Sequence, residues 1–554
     1  MASSTQHTTL RGLHEGLQAI VDGLAREGDA AGTPRVELER PREESHGDFA
    51  TNAALMLAPV LRRNPREVAA EIAGAAGQLP GVASVDVAGP GFINLSMTDQ
   101  WFLDGMHAAL EAGPDFGRDV AVTKLPILLE FVSANPTGPL VAASARHAAY
   151  GDALARVLRH AGHEVRTEFY VNDAGRQVDL FGASLLARAT GGDIPEGGYE
   201  GDYVAGLAAE LGVAEGDDPV ELGQRGVAAM IDGMRESLAQ LGITFDRFQS
   251  EKALHDSGAV IAGIERLAAA GQTFDEEGAT ILRTTTYGDD RDRAVRRANG
   301  VPTYFAADIA YLQDKYERIG GGGHLIYVLG ADHHGYIARL KAASEALGHD
   351  AETTEVVILQ MVTLSEGGET RKMSKRRGDF VTASEVVERI GPDATRFWML
   401  ERSHDQQLEI DLERAEAHND SNPVFYVQMA HARMCSIRRK VVEAGVELDG
   451  DLSAEPLQPS EKRLIKRIGE LPMVVAAAAE RRAPHRLHHY AYGLATDVSK
   501  FYHDCRVMGD GIDAATTRRR LVTVDAARSV LALALDLVGV HAPEQMEQRE
   551  DAGE

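Results

Sequence analysis

Hydrophobic and polar positions divide the chain into stretches of different rhythm. Over residues 1–110 the spacing is mostly helical. An amphipathic helix is expected at about 10–27, and PREESHGDFATNAALMLAPVLRRNPREVAAEIA carries two more helical patterns punctuated by Asn64-Pro65. The strand-like VDVAGPGFINLSM closes this unit. From 120 to 180 strand and helix alternate. The apolar run 126–131 is short and bounded by turn residues, as a buried strand is; Asn135-Pro136-Thr137-Gly138-Pro139 then forces a turn. An alanine-rich helix follows from about 142 to 161 and ends at Gly162, a normal C-cap. GHEVRTEFYVNDAG supplies the next strand, so a parallel α/β sheet is opening. HLIYVLGADHHGYI and TEVVILQMVTL are two further apolar strands and give the second half of a doubly wound sheet, with a ligand crevice expected at the strand ends.

Residues 190–220 are rich in Gly, Glu and Asp and are expected to form a surface insertion, followed by a helix near 220–241. Gly320-Gly321-Gly322-Gly323 is expected to be a flexible link. From Ser384 onwards the chain becomes largely helical, and its last third shows four helical periodicities, hence a bundle. The expected fold class is α/β: a doubly wound parallel (Rossmann-type) domain, a small α+β N-terminal domain and an all-α C-terminal bundle. The boundaries expected are 1–112, 120–385 with an insertion around 190–290, a helical connection at 386–422, and 423–554.

Length and composition limit the function classes. The 554 residues, 44% of them hydrophobic, suffice for several cores. Cys435 and Cys505 are too few for a disulfide framework and point to a reducing compartment. The N-terminus lacks the basic-then-apolar order of a signal peptide, and no apolar run is long enough to span a bilayer, so a cytoplasmic protein is expected. The net charge of −27 argues against a generic nucleic-acid coat. That charge is uneven: residues 423–554 hold 18 Lys/Arg against 19 Asp/Glu, a net of −1, so the last third can approach a polyanion that the remainder repels.

Three places carry candidate chemistry. At 126–146, a strand, a small-residue turn and a helix N-terminus make a phosphate-binding corner, because free backbone N–H groups and the helix dipole face an anion. At Arg371-Lys372-Met373-Ser374-Lys375-Arg376-Arg377-Gly378-Asp379, two lysines three apart on a Gly-flanked loop can close on a triphosphate and stabilise charge as pyrophosphate leaves. Alone, such a run is more often a solvated loop or a nucleic-acid patch. At Tyr304 and Asp308, one helical turn apart, two side chains can face one cavity; alone they read as an ordinary half-buried pair. Asp332-His333-His334 suggests a metal site, but adjacent histidines on a strand face opposite ways, and no CxxC pair exists, so no metal is expected.

SANPTGPL at 133–140, followed well downstream by KMSK at 372–375, resembles the class I aminoacyl-tRNA synthetases, specifically the arginyl-tRNA synthetase family. HGDFATNAA and GPGFINL resemble the small N-terminal domain that bacterial members carry, which helps recognise the outer corner of tRNA. FYVQMAHARMCSIRRK, FYHDCRVM and LVGVHAPEQM resemble the family's helical anticodon-binding domain, so the resemblance covers nearly the whole chain. It implies an arginine–tRNA ligase that uses ATP with Mg2+, L-arginine and tRNA(Arg), acts on no DNA and no membrane, and is monomeric. In this resemblance Ala134, Asn135, Pro136, Thr137, Gly138, Pro139, Leu140, Val141, Ala142, Ala143 and Ser144 hold ATP together with Lys372, Met373, Ser374 and Lys375. Lys372, Lys375 and Ser144 are the catalytic candidates. Ser133 and Asn135 match positions at the α-amino and carboxylate end of arginine; Tyr304 and Asp308 match a guanidinium-contacting pair; Asp332 and Glu130 are weaker transfers. Tyr426, Arg433, Arg438 and Arg439 are the tRNA candidates.

One departure stands out. Where the family usually has His-x-Gly-His, this chain has Val141-Ala142-Ala143-Ser144. Valine cannot donate a hydrogen bond and serine offers one of short reach. Donors expected to remain are the backbone of the helix N-terminus and the two lysines; His147, on the same helix face, could substitute in part, but alone it reads more readily as a partly exposed helical histidine. Two other functions stay open at this point: a non-catalytic tRNA-binding or regulatory protein, and an arginine-activating enzyme of a biosynthetic pathway.

Overall fold

The computed structural model describes residues 10–28, 32–41, 43–320, 322–370, 380–447 and 450–546. Its centre is a five-stranded sheet in the order Thr354–Leu359, His324–Gly330, Pro126–Glu130, Glu164–Val171, Arg247–Ser250, with every neighbouring pair parallel. Ile127, Leu128 and Leu129 are all buried, which is why the opening strand shows a continuous apolar run and no alternation. Chain order runs outward from that strand in one direction and then restarts on its other side. The switch therefore falls between Pro126–Glu130 and His324–Gly330, where a doubly wound sheet opens a crevice.

The helix that follows the opening strand spans Ala142–Ala161 and closes on Gly162 with φ 106°, a left-handed cap that glycine adopts without strain. Its alanines bring it close to the sheet. The closest approach is at Gly151, where a Cβ would lie 2.1 Å from the Phe131 ring. Buried Arg146 ties the helix to its surroundings, donating to Gln360 O at 2.7 Å and Ser403 O at 2.9 Å. Asp152 holds buried Arg396 at 2.5 Å.

Three sequence expectations change. The 190–290 stretch is not one insertion, because Arg247–Ser250 within it joins the central sheet. The excursions are instead the helices Asp202–Glu210 and Pro219–Gln240 on one side of that strand and a small antiparallel sheet, Thr273–Glu276, Ala279–Leu282 and Arg293–Arg296, on the other. TEVVILQMVTL is two strands: Thr354–Leu359 completes the central sheet, whereas Val362–Glu366 pairs in parallel with Leu408–Asp411. The C-terminal bundle has five helices among the described residues, Pro423–Glu443, Pro459–Gly469, Leu471–Glu480, His485–Asp504 and Ala514–Leu537. The extra break falls at Glu470 because Pro472 has no N–H to continue the preceding helix.

The N-terminal unit (helices Leu10–Glu27, Ala53–Leu61, Pro65–Ala76 and Asp99–Ala112 around a three-stranded antiparallel sheet) shares one continuous hydrophobic core with the bundle. Asp48 seals the seam, 3.0 Å from Lys466 Nζ and 3.3 Å from Lys462 Nζ, and Arg40 pairs with Glu470 beside it. No helix among the described residues is long and apolar enough to cross a membrane.

Candidate active site

A cleft of about 770 Å³ opens at the switch point, between the ends of the Pro126–Glu130 and His324–Gly330 strands and the first turns of the 142–161 helix. One wall begins with strain. Val132 and Ser133 both have left-handed backbones, φ 69° and 41°, a conformation that a β-branched residue rarely holds. The Ser133 hydroxyl fixes the bend by donating to Glu130 Oε1 at 2.9 Å and accepting from Tyr170 N–H at 3.1 Å. The next turn is clamped from outside by Tyr203, which donates to Thr137 O at 2.8 Å. Gly138 faces that hydroxyl so closely that a Cβ there would lie 3.2 Å from it.

Of the ATP candidates on this corner, Ala134, Asn135, Val141, Ala143 and Ser144 line the cleft; Pro136, Thr137, Gly138, Pro139, Leu140 and Ala142 do not. Asn135 also donates to Gln177 Oε1 at 3.2 Å. Lys372, Met373, Ser374 and Lys375 lie outside the described residues, but both flanks of their segment are described. The Glu369–Thr370 strand leads in, and beyond the segment the chain bridges to the helix start: Ala142 N–H donates to Val381 O at 3.0 Å, and Ala383 N–H to Leu140 O at 2.8 Å. Two of the donors expected at this helix N-terminus are therefore engaged within the protein. Ala142 N–H is held by Val381, and Ser144 N–H turns back to Val141 O at 2.8 Å.

The floor is a ring of tyrosines around carboxylates. Asp308 faces the cavity with Tyr170, Tyr311, Tyr327 and Tyr336. Burial pushes its carboxyl up to about 7, helped by the charges of Glu251 and Glu130 and opposed by a hydrogen bond from Tyr336 and the charge of Arg339. Glu130 is paired with fully buried Lys315. Burial lowers the Lys315 ammonium, against the holding charges of Glu130 and Glu168. Glu168 in turn takes hydrogen bonds from Tyr311 and Arg318. Asp308 thus carries into the cleft a carboxyl that no lysine or arginine among the described residues engages directly, and its environment favours a cationic guest.

Tyr304 differs from expectation. It is the first residue of the Tyr304–Ile319 helix, 63% exposed, and it does not line the cleft, although Asp308 one turn later does. Asp332 lines the rim with its side chain pointing to solvent, 3.6 Å from His333. ADHHGY is a 3-10 turn here, not part of the strand. No cluster of three or more His, Cys, Asp or Glu able to hold a metal occurs among the described residues. Tyr170, Asn172, Tyr311, Tyr327 and Gln360 also line the cleft. Only Tyr311 had a usable sequence signal, on the helix of Asp308, three positions on.

On the bundle, Arg433 lies over the Tyr502 ring at 5.0 Å, and the Tyr426 ring is 5.3 Å from that of Tyr492. Tyr492 and Tyr502 are 42% and 51% exposed. Both sit off the apolar stripe of the His485–Asp504 helix, the signal that could have found them. Arg438 is instead turned to Asp525 at 3.2 Å, and Arg439 to Glu544 O at 3.3 Å.

Comparison with known proteins agrees with this architecture. A family model described as "Arginyl tRNA synthetase N terminal domain" matches residues 13–97, one for the class I (R) tRNA synthetase catalytic domain matches 231–436, and one for the DALR anticodon binding domain matches 427–546. An arginine–tRNA ligase of Frankia alni is 45% identical over 543 residues, covering 96% of this chain and 97% of its own. The chain belongs to the arginyl-tRNA synthetase family. A second arginine–tRNA ligase, from Moorella thermoacetica, is 44% identical over 93% of this chain and 94% of its own length. The Thermus thermophilus arginyl-tRNA synthetase structure shares the fold, with a TM-score of 0.73 at 23% identity over 97% of this chain and all of that one. The catalytic-domain match of this arginyl-tRNA synthetase family member starts at residue 231, downstream of the 126–146 corner.

Proposed function

We propose that the chain joins L-arginine to tRNA(Arg) at this cleft as a class I arginine–tRNA ligase. The supporting observation is the pair of main-chain hydrogen bonds, Ala142 to Val381 and Ala383 to Leu140, that fastens the exit of the 371–379 segment to the rim of a cleft with Asp308 at its floor. Ionised Asp308 receives the guanidinium, whose planar fork of donors suits a carboxylate. Ser133 and Asn135 face the amino and carboxylate end of the substrate. The arginine carboxylate oxygen attacks the α-phosphorus of ATP, and the bond to pyrophosphate breaks. Lys372 and Lys375 stabilise the charge gathering on the leaving pyrophosphate, with Ser144 adding a short-reach donor. A ribose hydroxyl at the tRNA terminus then attacks the acyl carbon and AMP departs. Magnesium enters with ATP, held by the phosphates of the nucleotide.

Tyr426, Tyr492, Tyr502 and Arg433 form the face offered to tRNA bases, since exposed rings and cations stack on nucleobases without demanding a sequence. Arg438 and Arg439 support that face from its edge. The domains run 1–112, 120–385, 386–422 and 423–554, in a monomer acting in the cytoplasm. Arginine-dependent ATP–pyrophosphate exchange, measured with and without tRNA, tests the reading. Exchange absent at saturating tRNA would overturn it, and exchange without charging of bulk tRNA would redirect it to a biosynthetic enzyme.

A further inference from the structure

Arg146 is a buried cation without an acid. It lies in the second turn of the 142–161 helix with no exposed surface, and it makes no ion pair among the described residues. Burial lowers its guanidinium to about 10, against the charges of Tyr150 and Asp405, so it remains a cation near neutrality. A charge taken out of water in this way is costly. What Arg146 holds is two carbonyls from two distant segments. Its Nη1 donates to Gln360 O at 2.7 Å and its Nη2 to Ser403 O at 2.9 Å, while Nε has no partner. The two segments are also joined to each other, Gln360 N–H donating to His404 O at 2.9 Å and Leu408 N–H to Met361 O at 3.0 Å. Gln360-Met361 is where the chain leaves the central sheet for the Val362–Glu366 strand, and both residues line the cleft. Val141, Ala143 and Ser144, at the start of the helix that carries Arg146, line it too. Arg146 therefore spans from the wall built by the corner helix to the wall built by Gln360 and Met361.

We propose that Arg146 is a positioning residue for ATP: by holding Gln360 O and Ser403 O it fixes the separation of the corner helix from the Gln360-Met361 wall, and with it the width of the cleft where the nucleotide lies. This rests on the ligase reading above. The planar fork of a guanidinium suits two acceptors at a set spacing, whereas a lysine presents a single nitrogen and no fork. Asp308, on the Tyr304–Ile319 helix, is no part of this clamp, so the arginine end of the cleft does not depend on it.

The test is ATP–pyrophosphate exchange on the full chain at saturating tRNA, with KM measured for ATP and for arginine, alongside ATP affinity from equilibrium dialysis. Arg146→Met keeps the bulk and removes the donors. It is expected to raise the KM and the dissociation constant for ATP by about tenfold or more, since small misplacements at a reacting site are costly, and to leave the KM for arginine within about twofold. Arg146→Lys is expected to show a smaller rise for ATP, about threefold. A merely structural loss leaves fewer active molecules, which lowers kcat and moves neither KM. An Arg146→Met protein whose KM for ATP stays within about twofold of wild type would overturn the proposal, as would an equal rise in both KM values, the mark of general loosening. Should Arg146→Met fail to fold, Arg146→Lys decides: an unmoved KM for ATP in it, or a second failure to fold, makes the residue structural and overturns the inference. A wild-type chain that binds ATP in dialysis but shows no exchange would overturn the ligase reading instead, and the ATP affinities of the variants would still test the clamp.

Discussion

Lys315 and Glu130 form an ion pair inside the protein, with Lys315 Nζ 4.0 Å from the ring centre of Tyr311 and 3.9 Å from that of Tyr327. Two aromatic faces and a carboxylate thus surround one buried ammonium. Removing it leaves Glu130 buried without its partner, while Glu168 keeps Arg318. Lys315→Met is expected to cost about 3–5 kcal/mol of stability, the range for breaking a buried pair from one side. Urea unfolding checks this. Adding Glu130→Gln to Lys315→Met is expected to recover part of the loss, because the stranded charge goes with it.

Asp308 gives the site a pH signature. Its carboxyl is raised to about 7 by burial, so near neutrality the free protein is divided between charged and neutral forms. A guanidinium binds the charged form. The KM for arginine is therefore expected to rise as pH falls through 7 and to level off above it, and Asp308→Ala is expected to abolish arginine use while leaving tRNA binding intact. The raised carboxyl also bears on stability, with the opposite sign to a paired carboxylate. A carboxyl whose folded value lies above its unfolded value favours the fold at low pH, and that contribution is lost as pH rises toward 7. Asp308→Asn is accordingly expected to melt above wild type at pH 8 and to approach it near pH 4, which thermal melting at the two pH values checks.

Gly151 tests the seat of the corner helix. A Cβ there would lie 2.1 Å from the Phe131 ring, with other Phe131 atoms at 2.3 and 2.7 Å, and buried Phe131 has no open space to enter. Gly151→Ala is expected to destabilise by about 1–3 kcal/mol as an overpacked contact. It is also expected to reduce exchange, because the same helix carries Ser144 and His147 at its other end. Thermal melting and exchange rates should move together in this variant.

Arg482 joins the bundle to the central sheet. Its guanidinium donates to both oxygens of Glu355, at 2.8 and 2.7 Å, and its carbonyl accepts from Tyr150 of the corner helix. Burial alone would raise the Glu355 carboxyl, but the hydrogen bonds and charge of Arg482 outweigh it and hold it below its ordinary value. A depressed carboxylate stabilises the fold above its unfolded value and loses that contribution as pH falls through the folded one. Arg482→Ala is expected to melt below wild type at pH 7, with the gap narrowing in acid.

Much of this was legible from the chain. The 10–27 and 142–161 helices appear where their periodicity put them, since an apolar stripe at 3.6-residue spacing buries itself against almost any partner. The Pro126–Glu130 strand and the switch point followed from a short apolar run between turn residues. What the sequence hid was relative placement. Nothing in VVILQMVTL marks the register change at Gln360-Met361 that sends its two halves to different sheets. The pairing of Glu130 with Lys315, 185 positions away, has no local signature. Tyr304 and Asp308 share a helix face by spacing, yet only the deeper of the two lines the cavity, while Tyr304, the first residue of the helix, is exposed.

The two peptide groups that fasten residues 140–142 to 381–383 have a further consequence. Hydrogen bonds between main chains persist whatever side chains occupy those positions, so residues such as Val141 and Ser144 are free to vary while the basic segment's exit stays tethered to the helix. Drift at this corner therefore changes its chemistry without unhinging its architecture. Proline deletes the donor itself, so Ala142→Pro or Ala383→Pro removes one of the two bonds that make the tether.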